Sequence, residues 1–593
     1  MRYLVIVMSA FIFISTLGFS KTQVSENDYR GYYEVIYIDE TPLPKITAES
    51  QERGFILFIR STLDRIYKGT IPKSDEIKDS VSIFVAKGEY EPVQIGIYPL
   101  KDLKGVRISA GDLVDNKGNR IDKSNIDIKI IRYLAQRVGL DYMRYFGVLP
   151  KTIEKMEEID ISKGVTRGVW ITIKAPLDAI PGKYQTEIKV SPENGKHAIL
   201  KLEVEVLPFS IVSAPNNMYA AIYTSEFSRL SDTKDKKSID KIWELAEKIF
   251  IDMKEHGMTT VSPESQLNYE EKDGHPAILD LEATLKLHKK VGFPHPVLYY
   301  NGPMLRSAKT KNAGNIRDYK ANLHPDMARK IAKYYDEYCK KEGYPGVIYI
   351  TVDEPGFGDG VGNFPPDTRQ KIGYELYKAV KSVGGRTALT CTPDSIKPLA
   401  DVVDWWILAW ITPDVVSEAK SKKAKIGIYP NSAVMGQGTI YSRFVFGFYA
   451  WANNLEAVTP WTYPLSPSYS PDDFMKKGEG KYKVIDGFLG IDGKPITTIQ
   501  WELVREGIDD AKYLYTLESA IKEAKSLSPS NPAIKSAEML LDSIRKNVEM
   551  DIKKYKFEHY ATGELLEQPL WKPSKFDQIR REIADLIRKI KGM

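Results

Sequence analysis

Two adjacent acidic residues at the end of an apolar run are the feature of this sequence best suited to chemistry. The run Val347–Val352 leads directly into Asp353 and Glu354, and Pro355 follows. Proline favours extended backbone at the residue before it and ends the strand. Successive strand residues point to opposite sides, so one acid could be a catalyst and the other a cap for the next helix. Where a strand gives way to a loop this alternation relaxes, and both carboxylates could then reach one pocket as an acid/base pair.

Aromatic and amide side chains recur at the ends of other apolar runs, and one arginine follows in a helical segment. These candidates for substrate contact are Tyr223, Tyr300, Asn301, Trp410, Tyr429, Asn431, Arg443, Trp461 and Tyr463. Any single one of them more often packs in a core than binds a ligand. As a ring around one mouth they predict a carbohydrate site, because sugars present apolar C–H faces together with hydroxyls. Arg443 could bind a hydroxyl, hold a carboxylate, or lie on the surface.

The motifs of other reaction classes are missing from the sequence. There are seven histidines, with no His-Glu-x-x-His, no Gly-x-Ser-x-Gly and no phosphate-binding loop. The two cysteines, Cys339 and Cys391, are too few for a disulfide framework or a cysteine metal site. We therefore expect a carboxylate mechanism with no metal and no cofactor.

Eight apolar runs that alternate with amphipathic helices would bring these residues together. The predicted strands are Met218–Thr224, Thr259–Ser262, Pro296–Asn301, Gly346–Val352, Thr387–Thr392, Val403–Trp410, Lys425–Pro430 and Ala457–Tyr463. Eight strands over about 250 residues are typical of a (β/α)8 barrel, whose active sites lie at the carboxyl ends of the strands. A Rossmann sheet is the alternative, but it would favour a glycine-rich turn where this chain has Tyr223–Glu226.

The rest of the chain divides into three further regions. Residues 31–212 have a period of two with frequent turns, which predicts an antiparallel β-sandwich. The barrel is assigned to residues 216–525, and residues 526–593 form a C-terminal helical extension. The predicted fold is thus multidomain, with the sandwich before the barrel and helices after it.

Residues 1–20 have the features of a signal peptide. Arg2 is followed by the apolar stretch Tyr3–Ile14, and Gly18 and Ser20 are small residues before a cut at Lys21. The stretch is shorter than the roughly 20 residues that a membrane span needs. We expect cleavage and export to the periplasm or the exterior, with no integral membrane segment in the mature chain.

The charge balance bears on possible partners. Lys and Arg total 84 against 79 Asp and Glu, a net charge of +5. Both signs are scattered, and no basic tract is dense enough to follow a phosphate backbone, so nucleic acid is not an expected partner.

Several motifs together resemble glycoside hydrolase family 123 and its uncharacterised relatives. They are Asp353-Glu354-Pro355, Tyr441–Trp451, Val458–Tyr463 and Ile499–Asp510, with Gly88–Pro92 and Ala179–Tyr184 in the sandwich. The resemblance therefore covers most of the chain. It implies a retaining exo-glycosidase similar to the β-N-acetylgalactosaminidases.

The resemblance also implies roles for the two acids. Glu354 would be the general acid/base, and Asp353 would orient the substrate's acetamido group, whose carbonyl oxygen attacks the anomeric carbon to give an oxazolinium ion. Trp461 and Tyr463 would hold that acetamido group. Sequence neighbours cannot readily flank a sugar ring at the separation of about 5 Å that two ordinary retaining carboxylates need.

Two other functions stay open at this point. A glycosidase of the same fold without acetamido specificity would pair Glu354 with a carboxylate on another strand, such as Asp404 or Glu226. A non-catalytic carbohydrate-binding protein would have the pocket without turnover. Arg505, Glu506 and Asp510 are interpreted as structural ion pairs.

Overall fold

The structure is a computed structural model. It describes residues 20–29, 32–137, 145–213, 216–265, 269–272, 274–301, 324–356, 366–431, 433, 438–463, 489–555 and 571–593. Residues 1–19 of the predicted signal peptide lie outside these ranges, so the signal peptide stays a prediction.

Two β-sheets make up the N-terminal part of the chain. Their strands are β1 (Ser20–Tyr29), β2 (Tyr32–Asp39), β3 (Phe55–Arg60), β4 (Ser80–Val85), β5 (Tyr90–Pro99), β6 (Leu103–Ala110), β7 (Leu113–Asp115), β8 (Arg120–Ile121), β9 (Ile126–Arg137), β10 (Tyr145–Glu154), β11 (Ile159–Ile161), β12 (Arg167–Lys174), β13 (Gly182–Ser191) and β14 (Ala198–Val206). One sheet has the order β1-β2-β10-β9-β12-β5-β3, and the other has β11-β6-β13-β14-β4 with β7 and β8 beside it.

The pairing in these sheets is mostly antiparallel, as the alternating pattern predicts. β14 shows the reason, since its side chains alternate between buried and more exposed positions along the strand. Two pairs differ from the expectation, because β2–β10 and β4–β14 are parallel. The sheet also begins earlier than expected, with β1 lying ahead of residue 31.

A closed barrel of eight parallel strands follows. Its strands are β15 (Met218–Thr224), β16 (Thr260–Ser265), β19 (Val297–Asn301), β20 (Val347–Ile350), β21 (Arg386–Cys391), β22 (Trp405–Leu408), β23 (Lys425–Ile428) and β24 (Ala457–Val458), and the hairpin β17 (Tyr269–Lys272) and β18 (His275–Ile278) lies between the second and third. All eight appear in the predicted order. The last is shorter than expected because Pro460 has no N–H to continue the ladder.

Helices cover the barrel and continue beyond it. They are α2 (Lys236–Glu255), α3 (Leu279–Val291), α4 (Pro325–Glu342), α5 (Pro366–Lys381), α6 (Pro393–Ile396), α7 (Pro413–Lys422), α8 (Thr439–Phe444), α9 (Ala450–Ala452), α10 (Ile499–Leu527), α11 (Pro532–Lys546) and α12 (Pro573–Lys591), and α1 (Ala48–Arg53) belongs to the N-terminal part. A π-helical turn, Val445–Tyr449, joins α8 to α9. The short strand β25 (Thr497–Thr498) pairs with β10 just before α10, so the chain returns to the first sheet.

Two glycines allow α10 to cross α8 and the following π-helical turn closely. A Cβ at Gly447 would lie 2.7 Å from the Gly507 carbonyl oxygen, and one at Gly507 would lie 2.4 Å from the Arg443 carbonyl oxygen. Neither position has room for a side chain, because real Cβ contacts are never so short. The close crossing fixes α10 against the helix that follows β23.

A buried ion network joins α12 to both parts of the molecule. Arg580 donates to Glu91 in β5 at 2.9 Å, and to Glu506 and Asp510 in α10 at 2.9 and 2.6 Å. Its side chain is 2% exposed. Because paired, hydrogen-bonded charges can stay buried where single charges cannot, the C-terminal helix is an integral part of the fold.

Candidate active site

The strand β20 ends at Ile350, and the two predicted acids lie just beyond it. Asp353 and Glu354 are both partly exposed. Glu354 has a φ of +40°, in the left-handed region that side chains with a Cβ rarely adopt. Its N–H donates to the Thr390 carbonyl at 3.0 Å. The left-handed residue breaks the strand alternation, and both acids lie within the influence of the Arg369 charge.

Donors from two other strands hold the Asp353 carboxylate. The Thr390 hydroxyl in β21 donates to its Oδ1 at 2.9 Å, and the Tyr300 hydroxyl in β19 lies 3.4 Å from the Thr390 hydroxyl, close enough to lower the Asp353 pKa. Burial raises the pKa of Asp353, and these hydroxyls, the positive charge of Arg369 and the Glu354 N–H each lower it, leaving the pKa above its usual value.

A tyrosine from across the barrel holds Glu354. The Tyr429 hydroxyl, just after β23, donates to Oε1 at 2.8 Å, and Oε2 has no hydrogen-bond partner among the described residues. Burial raises the pKa of Glu354, the Tyr429 hydrogen bond lowers it, the negative charge of Asp353 raises it, and Arg369 lowers it. The net pKa is raised, which favours a protonated acid.

Four of the predicted residues therefore lie together: Asp353, Glu354, Tyr300 and Tyr429. Two more contact each other at the same edge of the barrel, since the Trp461 N–H donates to the Asn431 Oδ1 at 2.8 Å. Trp461 also bridges to Ile222 at the end of β15. The side chain of Asn301 lies outside the described part of the chain.

Tyr223 and Trp410 do not line the barrel mouth. Tyr223 lies on the outer face of β15, where it meets Phe250 of α2 edge-on with ring centroids 5.8 Å apart. Strand alternation is the reason, because it places alternate residues of β15 toward the helices. Trp410 packs on the same outer core, with the Lys553 ammonium 3.6 Å from its ring centroid.

Tyr463 and Arg443 also lie away from the mouth, and of the three possibilities for Arg443 the structure shows that it holds a carboxylate. The Tyr463 hydroxyl donates to Asp252 of α2 at 2.6 Å, and its ring packs edge-on against Trp501 of α10. Arg443 is buried and donates to Asp510 at 2.7 Å. Both side chains join helices outside the barrel, and this follows from partners far away in sequence that local patterns do not reveal.

Two residues beside the acids were missed. Thr390 is a hydroxyl at the carboxyl end of an apolar strand, the position where barrel active sites occur. Arg369 is in the first turn of α5, and its Nη1 donates to the Glu354 carbonyl at 3.0 Å. A cation is unfavourable at a helix N-terminus. An arginine in the first turn of a predicted helix is therefore a feature of the sequence that could have marked Arg369 as a candidate.

The two alternative carboxylates differ in placement from the predicted pair. Asp404 precedes β22 at the amino end of the barrel, where it pairs with Lys381 and accepts from the Thr387 N–H. It cannot reach Glu354. Glu226 lies after β15 beside Tyr223, and burial raises its pKa to about 7.

The described residues contain neither a candidate metal site nor a candidate membrane span. No group of three or more His, Cys, Asp or Glu side chains in them could hold a metal ion. No helix among them has the length and apolar character required to cross a bilayer.

Comparisons with known proteins point to one family. The glycoside hydrolase 123 N-terminal domain matches residues 61–192. A family 123 glycoside hydrolase from Clostridium perfringens, studied for glycolipid glycan hydrolysis, has the same fold, with a TM-score of 0.65 at 15% identity over 91% of this chain and 99% of that one. Both comparisons agree with the resemblance that the motifs indicate.

Weaker matches add nothing to this result. A GH5 xyloglucanase from Bacteroides ovatus has a TM-score of 0.29 at 10% identity, over 76% of this chain and 100% of that one. A family 39 glycoside hydrolase from Bacteroides cellulosilyticus has a TM-score of 0.32 at 11% identity, over 65% and 77% of the two chains. Among curated proteins no sequence match was found.

Proposed function

We propose that this chain, a relative of glycoside hydrolase family 123, is a retaining exo-glycosidase that removes β-linked N-acetylhexosamine, with N-acetylgalactosamine favoured. The observation that carries the proposal is the neighbouring pair Asp353 and Glu354 beyond β20, each bonded by a hydroxyl from another part of the barrel, Thr390 on Asp353 and Tyr429 on Glu354. Because the Clostridium perfringens enzyme acts on glycolipid glycans, their terminal sugars are the substrates to test first.

Glu354 is the general acid in the first step. Its raised pKa keeps a proton available for the glycosidic oxygen. Tyr429 holds Oε1, so Oε2 is the oxygen that faces the substrate. When the proton moves to the leaving oxygen, Glu354 becomes the base that later takes a proton from water.

Asp353 orients the acetamido group of the substrate. Its hydrogen bonds from Tyr300 and Thr390 favour the ionised carboxylate, which accepts the acetamido N–H. The acetamido carbonyl oxygen then forms a bond to the anomeric carbon as the bond to the leaving oxygen breaks. Water opens the resulting oxazolinium ion from the opposite side, and the anomeric configuration is retained.

The adjacency of the two acids supports this mechanism over a two-carboxylate mechanism. Ordinary retaining enzymes place one carboxyl group on each side of the sugar ring, about 5 Å apart. Asp353 and Glu354 follow the same strand, β20, and share Arg369 as a neighbour. One acid at the leaving oxygen and one at the acetamide nitrogen require only that the two be neighbours.

The test is a panel of aryl β-glycosides with a thiazoline inhibitor, using wild type and Glu354→Gln. We expect turnover of N-acetylgalactosaminide and N-acetylglucosaminide, inhibition by the thiazoline, and loss of activity in the variant. Hydrolysis of simple hexosides without thiazoline inhibition would instead identify a glycosidase lacking acetamido specificity. Sugar binding without any turnover, unchanged in Glu354→Gln, would identify a carbohydrate-binding protein.

Export is proposed from residues 1–20 alone. The expected site of action is the periplasm or the exterior, with the mature chain beginning at Lys21. N-terminal sequencing of the protein recovered from the producing cells checks this, and an intact Met1 start would contradict it.

A further inference from the structure

The left-handed backbone at Glu354 is held by hydrogen bonds at both of its peptide groups. Its N–H donates to the Thr390 carbonyl at 3.0 Å, and its own carbonyl accepts from the Arg369 Nη1 at 3.0 Å. Residues with positive φ persist only where their surroundings enforce it, and they are concentrated at active sites. The direction of the Glu354 carboxyl group therefore depends on these two contacts.

We propose that Arg369 is a positioning residue that clamps the Glu354 carbonyl and so aims the general acid at the glycosidic oxygen. This inference rests on the proposed function. Arg369 is 6% exposed and comes from the first turn of α5, where the helix dipole disfavours a cation. The negative charges of Asp353 and Glu354 offset this unfavourable interaction, so the position of Arg369 is explained by the acids and not by the stability of the helix.

The charge of Arg369 also acts on both acids. Tyr300 from β19, Tyr429 beyond β23 and Arg369 from α5 lie beside the pair, and the buried Cys391 thiol of β21 is close enough to interact with its charge. Each of these other groups is neutral at ordinary pH, because burial raises the pKa values of the two tyrosines and the thiol. Arg369 lowers the pKa of both acids by its charge.

The hydrogen bond from Arg369 to the Glu354 carbonyl and the positive charge of Arg369 can be tested separately by different substitutions. Lysine keeps the charge but not the planar fork that fixes a guanidinium against a carbonyl. Methionine keeps most of the unbranched stem and removes the guanidinium group, and with it both the hydrogen bond and the charge. A guanidinium ion added to the solution can enter the space that methionine leaves. The matched control is Arg545, which donates to the Ala452 carbonyl at 3.2 Å and is remote from the acids.

The experiment measures kcat, KM and the pH profile for Arg369→Met, Arg369→Lys and Arg545→Met, with thermal unfolding as a check of folding. In Arg369→Met we expect kcat to fall about 10²-fold with KM little changed, and both limbs of the profile to move up by about one pH unit. Guanidinium should restore part of the rate. Arg369→Lys should lose about tenfold in kcat with both limbs in place, and Arg545→Met should match wild type.

If Arg369→Met is folded and keeps the wild-type kcat and pH profile, Arg369 does not position Glu354. Equal effects in Arg369→Met and Arg369→Lys would also contradict the proposal. If wild type hydrolyses no acetamido glycoside, the proposed function fails separately. The clamp is then judged from a crystal structure of Arg369→Met. A negative φ at Glu354 supports it, and an unchanged left-handed φ overturns it.

Discussion

The two tyrosines that bond the acids should control opposite limbs of the pH profile. Tyr429 donates to the Glu354 carboxylate at 2.8 Å, and the Tyr300 hydroxyl lies beside Asp353 and lowers its pKa by hydrogen bonding. Each hydrogen bond favours the ionised form and lowers the pKa of its acid. Replacing either tyrosine with phenylalanine removes the donor and raises that pKa.

The size of the shift follows from the hydrogen bond. A bond to a charged group contributes about 1.5–3 kcal/mol. Glu354 is partly exposed, so water can replace part of what Tyr429 supplied, and about 1 kcal/mol of the interaction is then lost. One pKa unit corresponds to about 1.4 kcal/mol, so the shift should be roughly 0.7 units. Asp353 keeps its bond from Thr390, and a similar shift is expected there.

Both substitutions raise a pKa, but the two shifts act on opposite limbs of the pH profile. Glu354 must be protonated to act, so Tyr429→Phe should move the descending limb of kcat/KM to higher pH. Asp353 must be ionised, so Tyr300→Phe should move the ascending limb to higher pH and lower the rate on the acidic side. The acids interact, so part of each shift will appear at the other limb, and the limb that moves more is the result to compare.

The assay is kcat/KM for para-nitrophenyl β-N-acetylgalactosaminide across the pH range of stability. Tyr184→Phe is the control, because that hydroxyl donates to the Ile180 carbonyl in the sandwich, remote from the acids. Its profile should match wild type. Movement of mainly the ascending limb in Tyr429→Phe, or no movement of either limb in either variant, would contradict these roles of the two tyrosines.

Three further predictions concern stability, each measured by chemical unfolding. Arg580→Met leaves several carboxylates buried without their partner and should cost about 3–5 kcal/mol; a loss below 1 kcal/mol would mean that the network is dispensable. Gly507→Ala places a Cβ 2.4 Å from a helix carbonyl and should cost about 1–3 kcal/mol, whereas an unchanged midpoint would show that the crossing can relax. Burial lowers the pKa of His256, but Asp252 and Glu502 raise it above its usual value overall. The stability from this shift is present below about pH 6.5 and is lost as pH rises through the folded pKa, so His256→Asn should cost more in acid than in alkali, and an equal cost at both would contradict the assignment.

The order of the barrel strands and the position of the acids were predictable from the sequence. The run Val347–Val352, which contains β20, leads directly into two acids and a proline, and such a run needs no distant information to be recognised. The match of the glycoside hydrolase 123 N-terminal domain to residues 61–192 supports the resemblance to that family, and the fold is shared with the Clostridium perfringens enzyme. Tyr300 and Tyr429 lie beside the acids as candidates at strand ends should.

Other site predictions depended on information that local patterns lack. Tyr223 points outward, because the side on which an alternating strand places each residue depends on how the barrel closes. Arg443 binds Asp510, which is 67 positions away. Thr390 and Arg369 contact the acids from another strand and from a helix, and only the assembled barrel brings them to Glu354.

The most direct test of the central claim compares wild type with Asp353→Asn, Glu354→Gln and the control Asp404→Asn on para-nitrophenyl β-N-acetylgalactosaminide. General acid/base groups contribute about 10²- to 10⁴-fold, so kcat/KM should fall by that much in each of the first two variants. Asp404→Asn should keep the wild-type value, since Asp404 lies at the opposite end of the barrel. Full activity in both Asp353→Asn and Glu354→Gln would show that the chemistry occurs elsewhere.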